Sequence, residues 1–116
     1  MIFPFQNKIW FYLRPVNFNK QIDGLSMLIA DHLDENPTSG QLFVFRNKGA
    51  DKIRLLYWEG DGYWLFYKRL SKGRFKFPEI QDDKLHLNYD QLLWLLSGLE
   101  IAEYPTKNHE KYSHFF

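Results

Sequence analysis

The sequence predicts an α+β fold, a small antiparallel β-meander sheet packed with two main α-helices. Three extended runs rich in β-formers follow one another from Gln41 to Leu70, with Gly-containing connections between them. Two flanking stretches instead carry apolar residues at helical spacing. Pro and Gly fall singly where an element would end, and neither an internal repeat nor a low-complexity segment interrupts the pattern.

Ile9 to Leu13 reads as a first strand that stops near Pro15. Asn19 is placed to cap a helix whose apolar positions Ile22, Leu25, Leu28, Ile29 and Leu33 keep the 3.6 period, and Asn36-Pro37 terminates it. The meander then comprises Gln41 to Arg46, Ile53 to Glu59 and Tyr63 to Leu70. Its last two strands should pair directly, because Glu59-Gly60-Asp61-Gly62 supplies residues that tolerate the positive φ of a tight hairpin. After Pro78 an acidic linker with Asp82 and Asp83 leads to a short run, Leu85 to Leu87, and a second helix. Asn88 and Gln91 have capping-box spacing, Gly98 sits at the expected stop, and Leu92, Leu95, Leu96 and Leu99 form the buried stripe.

With 116 residues the chain has the length of one domain, assigned to residues 1–103. Residues 104–116 mix polar and aromatic types without a period, as in a C-terminal tail or docking segment. Met1 to Lys8 lacks a basic lead before an apolar run, so no signal peptide is expected. The longest aliphatic and aromatic stretch, Leu92 to Leu96, falls far short of the roughly 20 residues of a membrane span. The absence of Cys excludes disulfides, thiolate nucleophiles and Cys-based zinc sites. A cytoplasmic protein without a membrane partner is expected.

Net charge is +1, but its distribution is uneven. Residues 46–76 hold nine basic side chains against three acidic ones, a net of +6, whereas residues 77–103 hold one against six, a net of −5. The basic set is Arg46, Lys48, Lys52, Arg54, Lys68, Arg69, Lys72, Arg74 and Lys76. Strand alternation puts Ile53, Leu55 and Tyr57 on one face with Trp64, Phe66 and Lys68, the expected core side. Arg54, Leu56 and Trp58 share the other face with Tyr63, Leu65, Tyr67 and Arg69. Arg interleaved with Trp and Tyr suits phosphate pairing and base stacking on nucleic acid. The same pattern also fits aromatics covered by a helix with the arginines at its rim, and a basic loop also fits a solvated edge that discourages strand pairing.

No catalytic constellation emerges. Glu59 and Asp61 belong to turn chemistry beside glycines. Glu79, Asp82 and Asp83 show no recognisable ligand spacing. His32, His86, His109 and His114 are scattered, without the i, i+4 arrangement that places two imidazoles on one ion. Gly60 and Gly62 precede a β-run and not the helix whose amino terminus would hold a phosphate. A non-enzymatic protein with no cofactor, metal or small-molecule substrate is therefore expected.

Several segments resemble one family in order and spacing: Asp23-Gly24-Leu25, Asn36-Pro37, Ser39-Gly40 leading into Leu42-Phe43-Val44-Phe45-Arg46-Asn47, Leu55-Leu56-Tyr57-Trp58-Glu59-Gly60-Asp61-Gly62, Tyr67-Lys68-Arg69-Leu70, and Lys72-Gly73-Arg74-Phe75 with Phe77-Pro78. The family is that of the second-reading-frame accessory proteins, TnpB, of insertion-sequence-66-type transposons, distinct from the RNA-guided nucleases that share the name. The resemblance spans roughly residues 9–101. This chain departs from it at Phe18-Asn19-Lys20, where the family tends to a more basic stretch, and at Phe77, where a Trp is common. The resemblance implies a bacterial accessory factor in DNA transposition, with a separate transposase performing the strand chemistry.

The residues then suggest direct contact with transposon or target DNA through the basic aromatic meander. Arg46, Arg54, Lys68, Arg69 and Arg74 are the foremost phosphate partners, Lys48, Lys72 and Lys76 add charge, and Trp58 and Tyr67 are placed to stack on opened DNA. The rival expectation is a protein interaction module that docks on the transposase through aromatic anchors without binding DNA.

Overall fold

In a computed structural model, residues 7–98 are described. The 104–116 segment, the domain boundary before it, Leu99, His109 and His114 lie outside them. Strands β1 (Ile9–Tyr12), β2 (Leu42–Arg46), β3 (Lys52–Glu59), β4 (Gly62–Arg69) and β5 (Lys84–Leu87) form one sheet in the order β4-β3-β2-β1-β5. Helix α1 (Ile22–Leu28) continues as a π-helical turn, Ile29–Leu33, and α2 (Tyr89–Ser97) follows β5.

The expected meander is present as β2, β3 and β4, joined by antiparallel pairing. Its hairpin closes with Glu59 opposite Gly62, and Gly60 takes a φ of 60°. The sheet extends beyond the meander. β1 pairs in parallel with β2 through the α1 crossover, and β5 adds an antiparallel edge to β1. The fold is thus α+β with a mixed sheet.

Residue type explains the layering. Leu42, Phe43, Val44 and Phe45 of β2 are all buried, the near-continuous apolar run of a strand covered on both sides. Val44 joins Phe11, Leu55, Leu85 and the α2 leucines Leu92, Leu95 and Leu96 on one face. Phe43, Phe45 and Leu56 join Leu25, Leu28, Ile29 and Leu33 on the other. The apolar stripe read from both helices is therefore the face each lays on the sheet.

Helix ends show what local sequence controls. Asn88 and Gln91 form the reciprocal capping box, at 2.8 Å in both directions, and Gly98 ends α2 in the left-handed region. Asn19 does not cap α1: Gln21 occupies the N-cap without a side-chain bond. The Asn19 N–H instead donates to Asn17 Oδ1 at 2.9 Å, and the Lys20 N–H donates to the Asn17 carbonyl at 3.1 Å. A local Asx turn thus engages Asn19 before the helix begins. The helical segment stops at Leu33, followed by Asp34 at φ 53°, ahead of Asn36-Pro37. Among the described residues no helix is long and apolar enough to cross a membrane.

Candidate nucleic-acid interface

Strand directions gather the basic residues. Because β1 and β2 are parallel, the loop after β1 and the loop after β2 leave the same end of the sheet. The antiparallel β3 starts there with Lys52 and Arg54, and β4 returns there with Lys68 and Arg69. The next segment, carrying Lys72, Arg74 and Lys76, sets out from that end and is anchored back to it by the Phe75 N–H, which donates to the Ala50 carbonyl at 2.7 Å. Phe75 is buried while Lys72, Arg74 and Lys76 are exposed, so this segment keeps its aromatic inside and its cations outside.

A cleft of about 690 Å³ opens at this end on the α1 side. Its walls are Pro15 to Asn19, the turn from Asn47 to Gly49, Lys52 and Arg54 of β3, and Tyr67 of β4. The Arg54 guanidinium lies 4.5 Å from the Phe18 ring centre and 5.8 Å from that of Tyr67, and it donates to the Lys20 carbonyl at 2.6 Å. Phe18 and Tyr67 meet edge to face with centroids 6.5 Å apart. Tyr67 remains 56% exposed, so an aromatic surface lies open beside the cations.

The turn that presents Lys48 is fixed internally. Asn47 donates through Nδ2 to Asp51 Oδ1 at 2.7 Å and accepts on Oδ1 from the Lys52 N–H at 3.0 Å. The Asn47 bond leads the causes that hold the Asp51 carboxyl below its ordinary value. Ala50 takes a φ of 59° in this turn. Lys48 is thereby held exposed at the rim of the cleft.

The structure divides the predicted contacts. Lys48, Arg54 and Tyr67 line the cleft, and Arg69 stands opposite Lys52 in the β3–β4 register. Arg46 turns inward: Nε donates to the Leu13 carbonyl at 2.7 Å and the guanidinium lies 4.6 Å from the Phe77 ring centre. Burial pushes its pKa down. Lys68 reaches across to α2, donating from Nζ to the Leu96 carbonyl at 2.6 Å. Trp58 pairs with Tyr63 next to the hairpin, with ring centroids 4.9 Å apart. It lies six positions along β3 from Lys52, about 20 Å, so it belongs to the other end of the sheet. The helix-covered pattern holds for Leu56, Tyr63 and Leu65, which pack with α1, while Arg54 lies at the rim.

Three of the acidic and imidazole candidates have side-chain partners. Glu59 accepts from Trp64 Nε1 at 3.2 Å, Asp83 pairs with Arg14, and His86 packs against Trp10 at 5.3 Å. Lys52, Phe18, Asn17, Asn19 and Asn47 enter the cleft without having been marked as site residues. For Lys52 the signal was its place in the basic run. For the others it was the polar, Pro-led loop after β1, whose importance depends on the parallel pairing of β1 with β2.

The chain matches the family model described as IS66 Orf2 like protein over residues 7–106. It is also similar to two proteins of Sinorhizobium fredii (strain NBRC 101917 / NGR234). The one called uncharacterized protein y4jC is 37% identical over 94 residues, covering 81% of this chain and 80% of that protein. The other, uncharacterized protein y4hO, is 30% identical over 93 residues, covering 80% and 81% respectively. No solved structure matches the chain significantly.

Proposed function

Because the chain belongs to the IS66 Orf2-like family, whose role is accessory to transposition, we propose that it is a non-catalytic factor that contacts DNA through the basic end of its sheet. The observation that supports this most is the cleft in which Lys48, Lys52 and Arg54 meet the exposed Tyr67. Cations along an open groove hold successive phosphates, and an aromatic face beside them accepts an unstacked base. Arg69, Lys72 and Arg74 extend the positive surface past the cleft. Arg46, Lys68 and Trp58 are left out of this interface because each is engaged elsewhere. Phosphate contacts position the protein without reading bases, so the DNA is transposon end or target held by its backbone. The transposase of the same element is the protein partner, supplying the strand chemistry.

Fluorescence anisotropy with labelled transposon-end duplex, random duplex and single-stranded DNA, from about 50 to 200 mM salt, tests this reading. The expected result is affinity that falls steeply with salt on all three. Lys48→Ala with Lys52→Ala should lower the slope of log affinity against log salt by about two, since each lost phosphate contact removes nearly one unit. Absence of binding at the low-salt end would refute direct DNA contact and leave docking on the transposase as the function.

A further inference from the structure

We propose that two copies of this chain associate edge to edge through β4, in antiparallel register about Phe66, to form one continuous sheet. Strand β4 is the outermost strand of the sheet and eight residues long, against four for the other edge strand, β5. Its pairing with β3 runs from Gly62 to Arg69 without a bulge, and it contains no proline. Such an edge is a template for another strand unless it is interrupted, covered or charged along its length. Here the charges are confined to one end, at Lys68 and Arg69, while Trp64 and Tyr67 are 52% and 56% exposed.

Backbone alternation identifies the groups that would pair. Glu59 and Gly62 close the two-residue hairpin loop, so the N–H and C=O groups of Tyr63, Leu65, Tyr67 and Arg69 point away from β3. No described strand takes them. A two-fold axis through Phe66 sets Leu65 opposite Tyr67 of the second copy and Tyr63 opposite its Arg69, which uses all four outward-facing residues. On the α2 side the same register places Trp64 opposite Lys68 of the second copy. Each cation then stands opposite an aromatic residue and none opposite another cation, an arrangement favourable for cross-strand pairing, and Arg69 is placed for cation–π contact with Tyr63 of the second copy. The sequence of β4 is thus self-complementary in the one register that pairs the whole strand, and this selects a second copy as its partner.

Sedimentation equilibrium of the full chain over about 1 to 100 µM should show a reversible dimer in the range of a modest interface. Trp64→Lys puts like charges opposite each other twice by symmetry, and Trp64→Glu puts opposite charges there. The Glu variant should dimerise about tenfold more tightly than the Lys variant. As the chain has no Cys, Phe66→Cys should give a disulfide-linked dimer under mild oxidation, because Cα atoms about 4.5 Å apart in a non-hydrogen-bonded pair lie within disulfide reach. His86→Cys, on the opposite edge strand, should not. A monomer throughout the concentration range, or equal dissociation constants for the two Trp64 variants, would overturn the pairing. Cross-linking at position 86 and not at 66 would assign the contact to β5 and overturn it as well.

Discussion

Arg46 illustrates how one side chain changes role when its surroundings are known. In the sequence it ends an apolar strand and opens the basic run, so it reads as a phosphate contact. In the fold its Nε holds the carbonyl of Leu13 and its guanidinium covers Phe77, tying the end of β2 to the end of β1. Arg46→Ala should therefore cost about 1.5–3 kcal/mol in urea unfolding, the range for a hydrogen bond made by a charged group. Arg46→Lys should recover only part of it, since an ammonium cannot reproduce the planar fork over an aromatic ring. Asp51 carries a pH dependence. Its folded pKa lies below the ordinary 3.8, chiefly through the Asn47 bond, so the carboxylate contributes stability above that value and the contribution fades as pH falls through the folded pKa. In a pH series of unfolding midpoints, Asp51→Asn or Asn47→Ala should lack this component above about pH 4, and the difference from the unsubstituted chain should close as pH falls through the folded pKa.

At the level of elements, the two helices are held by different means at their two ends. The start of α2 is a local matter, settled between Asn88 and Gln91 three residues apart. Asn88→Ala should lower stability by about 1 kcal/mol, measured by chemical denaturation. Gly98 meets Leu70 at ordinary contact distance, 3.5 Å from an added Cβ, so a side chain would fit there. Its φ of 77° is the constraint, and Gly98→Ala should cost about 1 kcal/mol through backbone strain alone. The carboxyl ends are served from the sheet. Lys68 donates to the Leu96 carbonyl of α2, and Lys84 donates to the Leu33 carbonyl at 2.8 Å where the π turn ends. Both cations meet the negative end of a helical segment. These contacts span 28 and 51 residues of chain, which is why no local pattern announces them.

For the molecule as a whole, the central strands couple two apolar layers. Phe43 faces α1 and Val44 faces α2 from the same strand, and both are fully buried. Phe43→Ala should cost about 3–5 kcal/mol and Leu55→Ala, on the opposite face, about 2–5 kcal/mol. Both should displace a single transition seen alike by tryptophan fluorescence and far-UV circular dichroism, because neither layer can open without the strands they share. Charge is organised at this scale too. The basic loops converge on one end of the sheet while the Glu59 to Gly62 hairpin occupies the other. Arg69→Ala with Arg74→Ala should weaken DNA binding on every sequence tested in the anisotropy experiment, in keeping with contacts that do not read bases.

The meander, the amphipathic stripes of both helices, the Gly60 hairpin, the capping box of α2 and the basic character of residues 46–76 were all determined by the sequence itself. Each rests on periodicity or on turn and cap chemistry within a few residues, where steric limits on φ and the side-chain repeat act directly. Tertiary structure decided that β1 inserts in parallel beside β2. That single pairing brings Phe18 and Asn17 next to Lys48, Lys52 and Arg54 and turns a charge run into a cleft. It also decided which cations remain at the surface, withdrawing Arg46 to the Leu13 carbonyl and Lys68 to α2. The physical reason is range: a buried carbonyl or helix end recruits whichever cation the folded chain brings within about 3 Å, and that partner is set by topology and not by neighbours in sequence.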